Sequence, residues 1–487
     1  MTFPPLKEKS AWLPRLWCAV RERRGNVAII VALVLAVLIF GIGMGVDYTL
    51  ANRRQDQING FADAAALAAV TPSMMSETDA NAVAAAQAMF ASQLATVSNI
   101  TYSPSNISIT ATDTGAGNTV NRVITISYTA NSTNAFGAVL GMPSIPIAGS
   151  ASAKSSVAPK IDFYLLLDTS PSMAIAATPS GISTMVANTS HQGGCAFGCH
   201  QSNPAADNLQ NPAFASCPAN PATSYPAGGE DNFALARCLG VALRIDNVAA
   251  ATAALLTTAQ TTAATNHTDY RAALLTMDLT VNQLIGITDI TTNLTSLQNA
   301  AANIQALEVY DNNCLTASNC NNDQDSMLDN AILNLAGPGT PYALPAPGNG
   351  TSNPGDTPQE VLFIVTDGVN DEQPADGAVG QTTSSGGRIY GSIDHLISPD
   401  QCTAIKNRGI RIAFLYLTYY PLTTNGWYNS YISPFQFPNR TSTDQIAVAA
   451  QNCASPGLYF AVDTGGDISA AMTALFQKAV ATAHLTH

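Results

Sequence analysis

Charge is scarce in this chain. Asp, Glu, Lys and Arg make up 11% of its 487 residues, and the formal balance is −13. So acidic a balance argues against nucleic-acid binding, which needs a basic face. Catalytic signatures are missing too. There is no Gly-x-Ser-x-Gly, no His-Glu-x-x-His and no Gly-x-x-x-x-Gly-Lys phosphate loop. Serine hydrolase, zinc protease and phosphate-loop nucleotide readings therefore lack support. Long apolar runs are absent, with one exception at residues 26–46.

That run is charge-free and long enough for one membrane-spanning helix, which needs about 20 residues. Lys7, Lys9, Arg15, Arg21, Arg23 and Arg24 precede it; Arg53 and Arg54 follow, accompanied by Asp47 and Asp56. The positive-inside rule then puts the N-terminus in the cytoplasm and the bulk of the chain outside. A cleaved signal peptide is the alternative, but the apolar core exceeds an h-region of roughly 7–15 residues. The small-residue site at Ala64-Ala65-Ala66 is also poorly placed for cleavage.

The nine cysteines follow the same divide. Cys18 precedes the apolar run. Cys195, Cys199, Cys217, Cys238, Cys314, Cys320, Cys402 and Cys453 follow it, an even set on the exported side, as disulfide formation would produce. Connectivity is open at this level. Nearest-neighbour pairing gives 195–199, 217–238, 314–320 and 402–453.

With 46% hydrophobic residues the composition is globular, and the length calls for two or three domains. The reading divides the chain into a basic tail at 1–25, the membrane helix at 26–46, a small α+β module at 47–157 and an α/β domain at 158–487. In the module, the first helix continues to about residue 70 and a second covers about 78–97. Strands follow at 107–111, 122–130 and 144–152, with a turn at 113–118. In the large domain, strand candidates at 163–167, 270–276, 361–366, 410–418 and 458–462 alternate with helical stretches. These lie at about 232–262, 294–307, 326–335, 399–406, 443–454 and 467–481. Such alternation predicts a doubly wound, mostly parallel sheet. Two segments break it: a Cys-containing insertion at about 176–230, and a Pro/Gly-rich connection at 337–358.

The chain is organised around IDFYLLLDTSPSM, residues 161–173. A buried strand ends there in a loop offering Asp168, Ser170 and Ser172 at alternate positions. A carboxylate and two hydroxyls are hard oxygen donors suited to Mg²⁺. Open α/β sheets bind ligands outside the carboxyl ends of their strands. The plain alternative is that these residues cap the following helix.

Asp-x-Ser-x-Ser at the end of a buried strand, joined by Val-Leu-Phe-Ile-Val-Thr-Asp-Gly at 361–368, resembles the metal-ion-dependent adhesion site of the von Willebrand factor A domain. That resemblance implies ligands from three loops: Asp168, Ser170 and Ser172 from the first, Asp367 from the third, and from the second a hydroxyl before a helix, here Ser326. Asp325 stands where the family usually has Gly, as an extra carboxylate. The resemblance further implies a Mg²⁺ or other divalent ion with one position open to a partner's Asp or Glu, and no hydrolytic role. Asp371 and Glu372 read as a solvated loop. At the other end of the chain, Arg24-Gly25-Asn26-Val27-Ala28, with Asp63-Ala-Ala-Ala-Leu-Ala-Ala downstream, resembles the N-terminus of TadG-like proteins of the tight-adherence (Flp) pilus system, with a pseudopilin-like layout. Ile30 stands where true prepilins carry Glu, so a retained membrane anchor is expected. Together the resemblances imply a non-enzymatic assembly or adhesion protein of the bacterial inner membrane, single-pass, with protein partners in the pilus machinery and no nucleic-acid or small-molecule substrate.

One constellation competes. His191-x-x-x-Cys195-x-x-x-Cys199-His200 contains Cys-x-x-x-Cys-His, one residue longer than a haem attachment motif, and has the ligand types of a Cys₂His₂ zinc site. It would make the chain an exported redox or metal-binding protein. Against it stands a simple disulfide beside two surface histidines. The aromatic residues at 416–431, Trp427 among them, read as packing.

Overall fold

The computed structural model describes residues 25–116, 119–190, 194, 196, 232–307, 326–372, 384–385, 388–392, 401–426, 428–436, 444–463 and 465–481. It falls into two compact units. One comprises Met1–Met74, Asp79–Thr112 and Arg122–Ser155; the other comprises Met75–Thr78, Asp113–Asn121 and Ser156–His487.

The first unit is built on one helix, Gly25–Ala68. Its N-terminal half exposes Val27, Ile30, Leu33, Val37 and Ile42, and it is long and apolar enough to cross a membrane. Its C-terminal half changes character. Ala51, Ile58, Ala62, Ala65 and Ala66 are buried, and the small alanine side chains let a second helix, Asp79–Leu94, approach closely. Four strands complete the unit: β1 (Ile100–Thr101), β2 (Ile107–Ala116), β3 (Thr119–Thr133) and β4 (Ser144–Val157). β3 pairs with each of the others. Phe90 and Tyr128 meet in the core with ring centroids 5.9 Å apart. Buried Arg122 is held by Asp79 at 3.4 Å and donates to the Met74 carbonyl. The helices fall where hydropathy places them. The β2–β3 strands run further than expected, into the segment assigned to a turn at 113–118.

The second unit centres on a six-stranded sheet in the order β13–β12–β8–β5–β6–β7. These are β5 (Ile161–Asp168), β6 (Tyr270–Met277), β7 (Val281–Asp289), β8 (Gln359–Thr366), β12 (Arg411–Leu417) and β13 (Tyr459–Val462). β5 pairs in parallel with β6 and β8, and β12 with β8 and β13. Every residue of β5 and β8 is buried, which is why these strands read as unbroken apolar runs rather than alternating ones. β7 is a strand that hydropathy did not predict. It pairs antiparallel with β6 at the sheet edge and is exposed from Asn282 to Leu284, so its polar residues disguise it. Three further strands, β9 (Val369–Glu372), β10 (Ser384–Ser385) and β11 (Arg388–Ser392), form a small antiparallel sheet. Asp371 and Glu372, expected in a loop, thus belong to β9.

The single helix expected at 232–262 is two, Asn232–Cys238 and Arg244–Asn266. Gly240, at φ +65°, turns the chain between them. Part of the 176–230 insertion is helical, Pro179–Asn188, with Thr178 accepting from the Gly181 amide. The Pro/Gly-rich connection is pinned by Asp356, which accepts from the amides of Asn349 and Thr351. Tyr416, Tyr419 and Tyr428 are buried, consistent with their reading as packing. Cys402 and Cys453 form a disulfide across a sequence separation of 51. Cys238 is also disulfide-bonded; its partner, like every other cysteine and the His191/Cys195/Cys199/His200 cluster, lies outside the described residues, as do Asp325 and Trp427.

Candidate metal centre

β5 and β8 lie side by side with Leu167 opposite Val365, so both strands end at the same level. Asp168 closes β5 and Asp367 follows β8. Sheet pairing alone therefore brings together two carboxylates that the sequence holds far apart. Both residues are fully buried.

Each carboxylate is fixed by its own loop. Asp168 Oδ1 accepts from the Ser170 amide at 2.8 Å, and Oδ2 accepts from the Thr366 hydroxyl at 2.5 Å. Thr366 Oγ1 in turn accepts from the Gly368 amide at 2.9 Å, so the two loops are stitched together. The hydroxyls of Ser170 and Ser172 stand 2.9 Å apart. Asp367 Oδ1 accepts from the Val369 amide at 3.3 Å. Gly368 between them has φ +72°, and a Cβ there would stand 2.6 Å from Ile446, so only glycine turns the chain at this point. The capping alternative does not describe the loop: Ser170 precedes a short 3₁₀ turn, Pro171–Ala174, without a side-chain cap.

Ser326 sits next to this cluster. Its hydroxyl donates to the Val369 carbonyl at 2.7 Å, anchoring the second loop to the third. Asn370 does the same one residue on. Its Oδ1 accepts from the Leu328 amide at 2.9 Å, and its amide group donates to Asp329 at 3.0 Å. This caps the helix Leu328–Ala336.

Arg244, the first residue of its helix, is the participant the sequence reading missed. Its Nη1 lies 3.6 Å from Asp367 Oδ2, its Nη2 donates to the Thr418 carbonyl at 2.8 Å, and its guanidinium lies 5.1 Å from the Tyr419 ring centroid. The sequence carried no signal for it: with one helix expected over 232–262, Arg244 stood in the interior of that helix and not in a first turn.

Electrostatics follow from burial. Desolvation pushes the Asp168 carboxyl well above the ordinary carboxylate range, and the charge of Asp367 adds to the shift; hydrogen bonds from Ser170 and Thr366 oppose it. Desolvation also raises Asp367, with Arg244 and the Ser172 hydroxyl pulling the other way. Two desolvated carboxylates meet here and one guanidinium faces Asp367, so burial favours their neutral forms unless a further cation stands beside them. Asp367 Oδ2 is buried and faces the Arg244 guanidinium at 3.6 Å. The donor set, two carboxylates and two hydroxyls, suits a hard divalent cation. Among the described residues there is no cluster of three or more His, Cys, Asp or Glu side chains fit for a metal, so any ion here depends on the serine hydroxyls.

No family model matches the chain, and no curated protein matches it either. Solved structures give faint likenesses. The pilus adhesin SpaC from Lactobacillus rhamnosus GG has TM-score 0.32 at 12% identity, over 79% of this chain and 35% of that one. The chain thus spans about a third of the adhesin's length. The vWF domain of the type V pili tip protein Mfa5 from Porphyromonas gingivalis has TM-score 0.32 at 8% identity, over 68% and 98%. The PilB minor pilin from Streptococcus sanguinis has TM-score 0.27 at 10% identity, over 78% and 79%. The class defined by the chain's own features is a mixed α/β protein with an N-terminal apolar helix. Within it, the distinguishing feature is a buried carboxylate pair at the carboxyl ends of adjacent parallel strands.

Proposed function

We propose that this chain is a membrane-anchored, non-enzymatic pilus assembly or adhesion protein that presents a divalent cation to an acidic protein partner. The observation that carries the reading is the Asp168–Asp367 pair with the Ser170 and Ser172 hydroxyls beside it. Its fold reading is a doubly wound, von Willebrand A-like sheet, supported by the strand order and the parallel pairings. Asp168, Ser170, Ser172 and Asp367 would hold Mg²⁺, with Ser326 positioning the second loop. The ion would supply positive charge for a partner carboxylate. The chain's own residues do the rest: Thr366 and the Ser170 amide orient Asp168, and Arg244 compensates Asp367 from the protein side. The Flp-system assignment, bacterial inner-membrane location and cytoplasmic N-terminus rest on the TadG-like N-terminal resemblance and the charge asymmetry around the apolar helix.

The test is titration of the detergent-solubilised chain with Mg²⁺ and Mn²⁺ by calorimetry, beside Asp367→Asn and Asp168→Ala, with piliation and attachment scored in cells. The expected result is saturable binding in the wild type, abolished in both variants, with piliation or attachment lost. No binding at millimolar cation, together with normal piliation and attachment in both variants, removes the reading.

A further inference from the structure

The first unit carries an apolar loop that none of this uses. Residues 134–143 (Asn-Ala-Phe-Gly-Ala-Val-Leu-Gly-Met-Pro) contain no charged side chain. Val139 is 73% exposed, Leu140 47%, Met142 45% and Phe136 40%. The loop is not loose. Asn134 donates its backbone amide to Pro143 O at 2.9 Å and its side-chain amide to Met142 O at 3.0 Å, and the Met142 amide donates to Gly137 O at 3.0 Å. A shaped loop thus holds four large apolar side chains out of the protein.

Its position decides what faces it. β3 runs back along the long helix toward the helix's apolar half: Tyr128 Oη donates to Asn59, Arg54 donates to Ser132, and Asp47 accepts from the amides of Ala135, Phe136 and Gly137. Phe136 then lies on Gly43, where a Cβ would stand 2.5 Å from its ring. Gly41 and Gly45 have nothing within 4 Å, so the loop covers one face of the helix. From residue 27 to residue 46 the helix rises about 30 Å at about 1.5 Å per residue, matching a hydrocarbon core of about 30 Å. Gly43 falls just inside the outer boundary. Asp47, the first charge beyond it, is satisfied by the loop's amides instead of by water.

We propose that the 134–143 loop is a membrane-interface foot. Phe136, Val139, Leu140 and Met142 insert into the headgroup–acyl boundary of the bilayer that the helix crosses, fixing how the first unit stands on the membrane. The inference rests on the reading of that helix as a membrane span.

A photo-cross-linking amino acid, p-benzoylphenylalanine, placed singly at Val139, Val34 or Ser73 of the full chain in phosphatidylethanolamine/phosphatidylglycerol proteoliposomes tests it. Val34 reports the span. Ser73 lies beyond Ala68, the helix end about 38 Å past Gly43. Irradiation is expected to give lipid adducts at Val34 and Val139 and none above background at Ser73. Adding Gly43→Leu should push the loop away and cut the Val139 adduct several-fold while leaving Val34 unchanged. Adducts at Val34 without any at Val139, or Val139 adducts to another protein chain in place of lipid, overturn the foot alone. No adducts at Val34 overturn the membrane span, and the foot with it.

Discussion

Arg244 and Asp367 face each other inside the protein, Nη1 to Oδ2 at 3.6 Å, with side-chain exposures of 3% and 0%. A permanent cation thus already sits at the centre proposed for a divalent one. On the proposed reading the carboxylate would be shared between this internal charge and a bound cation, and cation affinity would be set by that competition.

Replacing Arg244 by Gln should tighten Mg²⁺ binding about tenfold, worth about 1.4 kcal/mol. The same change should destabilise the metal-free protein by about 3–5 kcal/mol, because it leaves a buried carboxylate uncompensated. Calorimetry and thermal unfolding with and without Mg²⁺ read both effects. Weaker binding in the variant would mean that Arg244 organises the site rather than competes for it.

Ser170→Ala and Ser172→Ala remove hydroxyls that lie 2.9 Å apart and also bond to the Asp168 and Asp367 carboxylates. Each should weaken cation binding at least about tenfold and lower stability by about 1–3 kcal/mol. Ser326→Ala should behave differently. Its hydroxyl ties the second loop to Val369, so stability is expected to fall with only a small change in affinity.

Glu360 gives a pH test away from the centre. Burial, assisted by the charge of Asp162, pushes its carboxyl up to about 8. The folded state therefore holds a proton that the unfolded chain releases near its ordinary value. This contribution is complete below about pH 4.5 and is lost as pH rises toward 8. Thermal stability should fall over that window by roughly 1–4 kcal/mol from this residue. Glu360→Gln should flatten the slope; an unchanged slope would show that Glu360 is ionised throughout.

Asp47 accepts three backbone amides at 2.7–2.9 Å. Asp47→Ala should free the amides of residues 135–137, seen as hydrogen exchange faster by about 10²-fold or more.

The Cys402–Cys453 bond joins the ends of a long segment. The chain-entropy argument assigns it about 4 kcal/mol. A Cys402→Ser/Cys453→Ser double variant should show that loss in denaturant unfolding.

Much of this was legible in the chain because its signals are local. The apolar run at 26–46, the buried strands and the Asp-x-Ser-x-Ser spacing each depend on neighbours within a turn or a strand. β7 escaped because an edge strand exposed on both faces can carry Asn282 and Gln283 side by side. The break at Gly240 escaped because helix-forming residues flank it on both sides.

By itself the sequence determined where the chain turns apolar, which segments are buried strands, and that Asp168, Ser170 and Ser172 occupy one loop. Only the tertiary structure decided that Thr366 bonds to Asp168 across a separation of 198 residues, that Arg244 stands against Asp367, and that Phe136 lies on Gly43. The reason is physical. Periodicity reports which face of an element is buried, whereas strand order and the crossing of elements decide what that face meets.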